Sequence, residues 1–132
     1  MTARGPAPVV VVLTYNAERD VPTCFESLGR ARAAGSRFDV LAVDNASADG
    51  TCALLRERFP WVELVENGSN LGFAGGNNVG LRVALERGAP WVYLLNPDTE
   101  VTPGFLDEAL AVAEARPECA AVSALSSPVS VS

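Results

Sequence analysis

Hydrophobic positions along the chain change period repeatedly. Val9 to Leu13 is an unbroken run rich in β-branched residues, which predicts a strand covered on both faces. From Asp20 the spacing turns helical, with Val21, Cys24, Phe25 and Leu28 on one face and Gly35 as the stop. Phe38 to Val43 predicts a second strand. Gly50 to Phe59 predicts a second helix, carrying Leu55 and Phe59 on one face and ending at Pro60. A short third strand follows over Val62 to Val65. The third helix has Phe73, Asn77, Gly80, Leu81, Ala84 and Leu85 on one face and ends at Gly88. Trp91 to Leu95 predicts a fourth strand. Thr102 as N-cap and Pro103 at the first helical position then open a helix that buries Phe105, Leu106, Ala109, Leu110 and Ala113. Ala120 to Leu125 predicts a fifth strand.

This alternation predicts an α/β fold, a mainly parallel open sheet flanked by helices and joined by right-handed crossovers. No repeat, linker or low-complexity tract divides the chain. One domain over residues 1–125 is expected, with a flexible tail over residues 126–132.

Composition narrows the function. A chain of 132 residues, 48% hydrophobic, buries a core without disulfide or metal staples. The net charge of −6 argues against binding nucleic acid or anionic lipid by general attraction. Histidine is absent, which removes His-based catalytic triads and His-containing zinc sites. Cys24, Cys52 and Cys119 show no CxxC spacing and read as buried small hydrophobes in a reducing compartment. The longest apolar run, Ala7 to Leu13, is far short of the roughly 20 residues that span a bilayer. It leads into Thr14-Tyr15-Asn16 with no cleavage site, so neither a signal peptide nor a transmembrane segment is read, and a cytoplasmic location is expected.

In open α/β sheets ligands bind beyond the carboxyl ends of the strands. Here those ends carry Thr14-Tyr15-Asn16, Asp44 to Gly50, Asn67 to Asn78 and Asn96-Pro97-Asp98-Thr99, so polar, glycine-rich and acidic residues gather on one edge. A dinucleotide fold needs G-x-G-x-x-G after the first strand, where this chain has no glycine. A Walker-type loop is missing too, and the sequence contains no lysine. Single residues also have plainer roles: Asp44 capping a turn, Asp49-Gly50 starting a helix, Tyr15 packing at the sheet end, Gly72 to Gly76 allowing tight helix packing, and Trp61 and Trp91 filling core or edge. Those roles leave the convergence unexplained.

The stretches VVVVLTYNAE, VLAVDNASADGT, ENGSNLGFAGGNNVGL and YLLNPDTEVTPGFL, in that order over about residues 8 to 115, resemble the family 2 glycosyltransferases with the GT-A fold, in their rhamnosyltransferase-like branch. The resemblance implies an inverting transfer from a nucleotide-diphospho-sugar, UDP- or dTDP-linked, with dTDP-rhamnose as one donor. It implies a glycan or lipid-linked acceptor at the cytoplasmic membrane face, in polysaccharide or cell-wall biosynthesis. On this resemblance Thr14, Tyr15 and Asn16 line the nucleotide base, and Asp44, with Asn45 beside it, accepts from the base's imino N–H. Asn70, Gly72, Ala74, Gly75 and Asn78 line the ribose and sugar side, Asn96 lies beside the donor, and Asp98 holds Mg²⁺ or Mn²⁺ on the diphosphate. The chemistry agrees: an aromatic ring covers a flat base, a hard cation neutralises the departing diphosphate, and glycines at a helix start admit an anion.

The chain departs from the family in two ways. Asn96 replaces the first carboxylate of the usual D-x-D motif, so Asp98, the diphosphate and water would hold the cation. The chain is about half the usual length. Among Glu100, Asp107, Glu108, Glu114 and Glu118 none stands out as the base an inverting mechanism requires. The base is therefore expected beyond residue 132, and this chain is expected to be an incomplete, donor-binding half with no activity alone. A bare edge on the fourth strand, open to self-association or a partner subunit, is expected from the same comparison. Two other functions remain: a non-catalytic nucleotide-sugar-binding module, and a sugar nucleotidyltransferase, whose glycine- and arginine-rich loop is missing.

Overall fold

The computed structural model describes residues 5–115 and 122–123. Strands β1 (Val9–Thr14), β2 (Asp39–Asp44), β3 (Glu63–Glu66), β4 (Val92–Leu95) and β5 (Val122–Ser123) alternate with helices α1 (Val21–Ala33), α2 (Thr51–Arg58), α3 (Gly72–Glu86) and α4 (Phe105–Ala115). The sheet order is β3-β2-β1-β4-β5 and each neighbouring pair is parallel. In register, Val9 faces Asp39 on one side and Val92 on the other, so β1 is the central strand. The predicted elements are present, with β2 and β3 each one residue later than the pattern placed them. The predicted fifth strand is described only over Val122–Ser123, and residues 126–132, Glu118 and Cys119 lie outside the described residues.

Period-two alternation splits the strands between two cores. Val10, Val12, Val40, Ala42, Tyr93 and Leu95 face α1, α2 and α4, where Phe25, Leu28, Leu55, Phe105 and Leu106 cover them. Val9, Val11, Leu41 and Val43 face α3. Phe105 meets Phe38 and Tyr93 edge-on at 5.6 and 5.3 Å, which fixes α4 on the α1 side.

That anchoring corrects the expectation of uniformly right-handed crossovers. The connections through α1, α2 and α3 share one hand, because the chain changes face when it reverses direction after β3. The step from β4 to β5 continues in the reversed direction yet returns to the α1 face, so it has the opposite hand.

Three further expectations need correction. The expected inner face of α3 holds at Asn77, Gly80 and Ala84, which are buried, but not at Phe73 and Leu85, which are 69% and 73% exposed. Gly76 joins the buried set, because small side chains let the helix lie close to the sheet. Thr102 is not the residue directly before α4: its carbonyl accepts from Phe105 N–H at 3.1 Å, so a turn precedes the helix. The fourth strand is not bare, since Tyr93 and Leu94 pair with Val122 and Ser123, and self-association through this edge has no support.

Of the cysteines, Cys24 is buried and Cys52 half-buried. Burial, aided by the nearby Asp98 and Asp20 charges, pushes the Cys24 thiol up to about 12, so it is inert packing. Trp61 sits at the surface under Arg32, whose guanidinium lies 5.0 Å from the ring centroid. Among the described residues no helix is long and apolar enough to cross a membrane.

Candidate functional site

Strand order reverses between β1 and β4, so the crevice for a ligand lies beyond Thr14 and Leu95. Thr14-Tyr15-Asn16 leaves β1 there and Asn96-Pro97-Asp98 leaves β4 there, while Asp44-Asn45 leaves β2 next door.

Six hydrogen bonds that use a side chain stitch the end of β1 and its loop to the end of β2, its loop and the start of α2, beside the backbone bond from Asn45 N–H to the Thr14 carbonyl. Thr14 Oγ1 donates to Asp44 Oδ1 at 2.7 Å. Asn16 N–H donates to Ser47 Oγ at 2.8 Å, and Asn16 Oδ1 accepts from Ala48 N–H at 2.7 Å. Ala17 N–H donates to Thr51 Oγ1 at 2.9 Å. Glu18 N–H donates to Asp49 Oδ2 at 3.2 Å, and Glu18 Oε1 accepts from Gly50 N–H at 3.0 Å. Asn16 and Ala46 hold positive φ of 48° and 65°, conformations these cross-links maintain against their intrinsic cost.

Asp44 is 1% exposed. Its Oδ1 accepts from both the Thr14 and Ser47 hydroxyls and its Oδ2 from Ser47 N–H at 2.8 Å. Burial alone would raise its pKa. The Ser47 side chain and backbone, the Thr14 hydroxyl and the Cys52 thiol outweigh that and hold the carboxyl below its usual value. The Cys52 thiol moves the other way, to about 11, through burial, its bond to Asp44 and that charge. Asp44 therefore caps the turn after β2, the plainer of its two roles. Asp49 likewise starts α2, its Oδ1 accepting from Thr51 N–H at 3.0 Å.

Asn45, 3% exposed, ties the third loop in. Its Nδ2 donates to the Gly72 carbonyl at 3.0 Å, and its Oδ1 accepts from Asn67 Nδ2 at 2.8 Å and from Leu71 N–H at 3.3 Å. Asn70 Oδ1 accepts from Gly72 N–H at 2.9 Å, and Gly72 takes φ +78°, which glycine adopts without strain. Gly76 is required for close approach: a Cβ there would stand 2.4 Å from Leu13 Cδ1 and 2.9 Å from Asn45 Nδ2.

The expected site residues therefore divide into two groups. Thr14, Asn16, Asp44 and Asn45 are brought together and bonded to one another or to the neighbouring loops. Tyr15, at 51% exposure, stands open, as do Asn70, Gly72, Ala74, Asn78 and Asp98, with Gly75 and Asn96 half-buried. Asp98 sits on the β4 loop, close enough to Cys24 at the start of α1 for its charge to act on that thiol. Beside it Thr99 is 1% exposed, and its hydroxyl is the buried side-chain polar atom found without a partner among the described residues. No group of three or more His, Cys, Asp or Glu side chains that could hold a metal occurs among the described residues. Of the other acids, Glu100 pairs with Arg30 at 3.2 Å, and Asp107 and Glu108 stand exposed on α4.

The sequence reading missed Ser47, Thr51, Glu18 and Asn67 as connectors. The signal was present in the spacing of Asp44, Ser47, Asp49 and Thr51, alternating acid and hydroxyl after a strand, which favours Asx-type turns.

The sequence model described as Glycosyl transferase family 2 matches residues 9–130. The chain is 32% identical over 124 residues to an N-acetylglucosaminyl-diphospho-decaprenol L-rhamnosyltransferase of Mycobacterium tuberculosis, covering 88% of this chain and 40% of that protein. Among solved structures, S. aureus TarS 1-349 in complex with UDP superposes with a TM-score of 0.68 at 23% identity, over 84% of this chain and 33% of that one. The same protein in complex with UDP-GlcNAc gives a TM-score of 0.67 at 22% identity, over 84% and 32%. The chain thus spans well under half the length of these proteins. With the fold, the stitched loops and a match across nearly the whole chain in agreement, it belongs to glycosyl transferase family 2.

Proposed function

We propose that this chain binds a nucleotide-diphospho-sugar and presents it for inverting transfer to a glycan or lipid-linked acceptor. The observation that carries the reading is the pair of open groups flanking the switch point: the Tyr15 ring beyond β1 and the Asp98 carboxylate beyond β4. In this reading Tyr15 covers the face of the base. Asp44 accepts its imino N–H when the Thr14 hydroxyl turns toward the Val43 carbonyl, 3.5 Å away, and frees a lone pair of Asp44 Oδ1. Asn70, Gly72, Ala74, Gly75 and Asn78, at the start of α3, line the ribose and sugar, where unpaired backbone N–H groups favour phosphate oxygens.

Asp98, with Asn96 two residues earlier, suits a hard cation that takes one protein carboxylate and completes its shell with phosphate oxygens and water. Bound there, Mg²⁺ or Mn²⁺ would neutralise the charge growing on the departing diphosphate. Transfer also needs a base to take the acceptor's proton. Glu100 is held by Arg30, and Asp107 and Glu108 lie on the outer side of α4, so the proposal confines this chain to the donor. A UDP or dTDP donor, with dTDP-rhamnose as one candidate, is supported by the rhamnosyltransferase relative and by the UDP complexes of TarS.

Calorimetric titration of the chain with UDP and with dTDP, with and without Mn²⁺, tests this. Binding is expected, stronger by roughly tenfold or more with metal, and Asp98→Ala is expected to remove that metal-dependent gain. Equal metal-independent binding by both proteins would refute the role of Asp98. No binding by a folded chain would refute the donor site.

A further inference from the structure

We propose that Ser47 is the positioning residue of this site, fixing the Asp44 carboxylate and the Tyr15-Asn16 backbone in one arrangement that the donor's base then meets. The inference deepens the donor-binding reading and rests on it. Ser47 makes three hydrogen bonds that no other residue of the two loops duplicates. Its hydroxyl donates to Asp44 Oδ1 at 2.6 Å, its N–H donates to Asp44 Oδ2 at 2.8 Å, and its hydroxyl oxygen accepts from Asn16 N–H at 2.8 Å. One small side chain thus grips both oxygens of the buried carboxylate and the neighbouring loop.

The consequences follow from hydrogen-bond capacity. A carboxylate offers about four acceptor positions; at Asp44 Ser47 fills two, the Thr14 hydroxyl one, and the Cys52 thiol also bonds there. Those bonds set which way the carboxyl plane faces and favour its charged form. The third bond holds Asn16 in its left-handed conformation, φ 48°, directly after Tyr15. The aromatic cover and the carboxylate are therefore set by the same hydroxyl, although they stand on different strands. The groups facing Asp44 from other elements are the Cys52 thiol of α2, with Asp49 and Arg56 near it, and Glu66, opposite Asp44 on β3 and paired with Arg56. None of them bonds to Asn16 among the described residues, so none substitutes for Ser47.

The test combines UDP calorimetry with an NMR pH titration of the Asp44 carboxyl in the full chain, for Ser47→Ala and Ser47→Thr. Ser47→Ala is expected to weaken UDP binding about tenfold and to move the Asp44 midpoint upward. Ser47→Thr, which retains the hydroxyl, is expected to restore both. A Ser47→Ala chain that melts like the parent but keeps its UDP affinity overturns the proposal. So does an unmoved Asp44 midpoint, which a merely structural serine would give. If Ser47→Ala does not fold, Ser47→Thr decides alone: a lost midpoint shift together with lost UDP binding in a folded Thr variant overturns the proposal, and retention of both supports it. If the unsubstituted chain binds neither UDP nor dTDP, the donor reading fails, while the carboxyl titration still reports on the positioning role.

Discussion

Gly80→Leu is expected to leave the chain unfolded at 25 °C, and Gly80→Ala to lower stability by about 1–3 kcal/mol through overpacking. An added Cβ at Gly80 would stand 2.5 Å from Val11 Cγ1, 3.1 Å from Val11 Cγ2 and 3.3 Å from Val43 Cγ2. Val11 lies on the central strand and is wholly buried, so neither valine has room to retreat. The helix must move off the sheet instead, and with it Asn77, Ala84 and the loop that Asn45 ties down. Gly29, inside α1, provides the control. A Cβ there meets only Trp61 Cζ2 at 3.4 Å, ordinary contact, so Gly29→Ala is expected to stabilise by about 1 kcal/mol through helix propensity. Thermal melts of the two alanine variants should therefore shift in opposite directions. Equal shifts would show that α3 does not pack as described.

Asp44→Ala is expected to lower stability by about 2–4 kcal/mol and melting by roughly 10 °C, and to abolish nucleotide binding. The loss is large because the partners remain. The Thr14 hydroxyl is fully buried and would have no comparable acceptor, while both Ser47 donors would lose theirs. Asp44→Asn separates charge from shape. In the folded chain the Asp44 carboxyl titrates below its ordinary value of 3.8. Its contribution to stability is thus complete above that ordinary value and is withdrawn as the pH falls through the lower, folded one. Asp49, also depressed against burial by its bonds to Thr51 and Glu18, acts in the same direction. Urea unfolding from pH 7 down to pH 3 should therefore show a steep acid loss for the parent and a shallower one for Asp44→Asn. Parallel curves would refute the assigned role of the carboxylate.

Much of this was legible in the residues taken in order. The change from unbroken apolar runs to helical spacing located the elements from β1 to the start of α4 within a residue or two, since the apolar pattern of a short segment is a local property. The clustering of polar motifs after the strands followed too, because parallel strands put all their carboxyl ends on one edge. Sequence failed where the deciding contacts join residues far apart. A helical wheel puts Phe73 and Leu85 on the same face as Gly80 and Ala84, but the close approach of α3 to the sheet takes the small residues and leaves the two large ones exposed. Asp44 and Asn16 each looked like a ligand contact. What the sequence did not show is that they also bond within the protein: Asp44 to Thr14, thirty residues away, and to Ser47 in its own loop, and Asn16 to Ala48. The hand of the last crossover depended on Phe105 reaching Phe38 and Tyr93. The sequence by itself determined the elements, their parallel alternation and the edge where chemistry gathers. Only the tertiary structure decided the strand order, the buried face of α3 and which polar groups stay free, because each depends on which distant side chain arrives first at a shared oxygen or a shared gap.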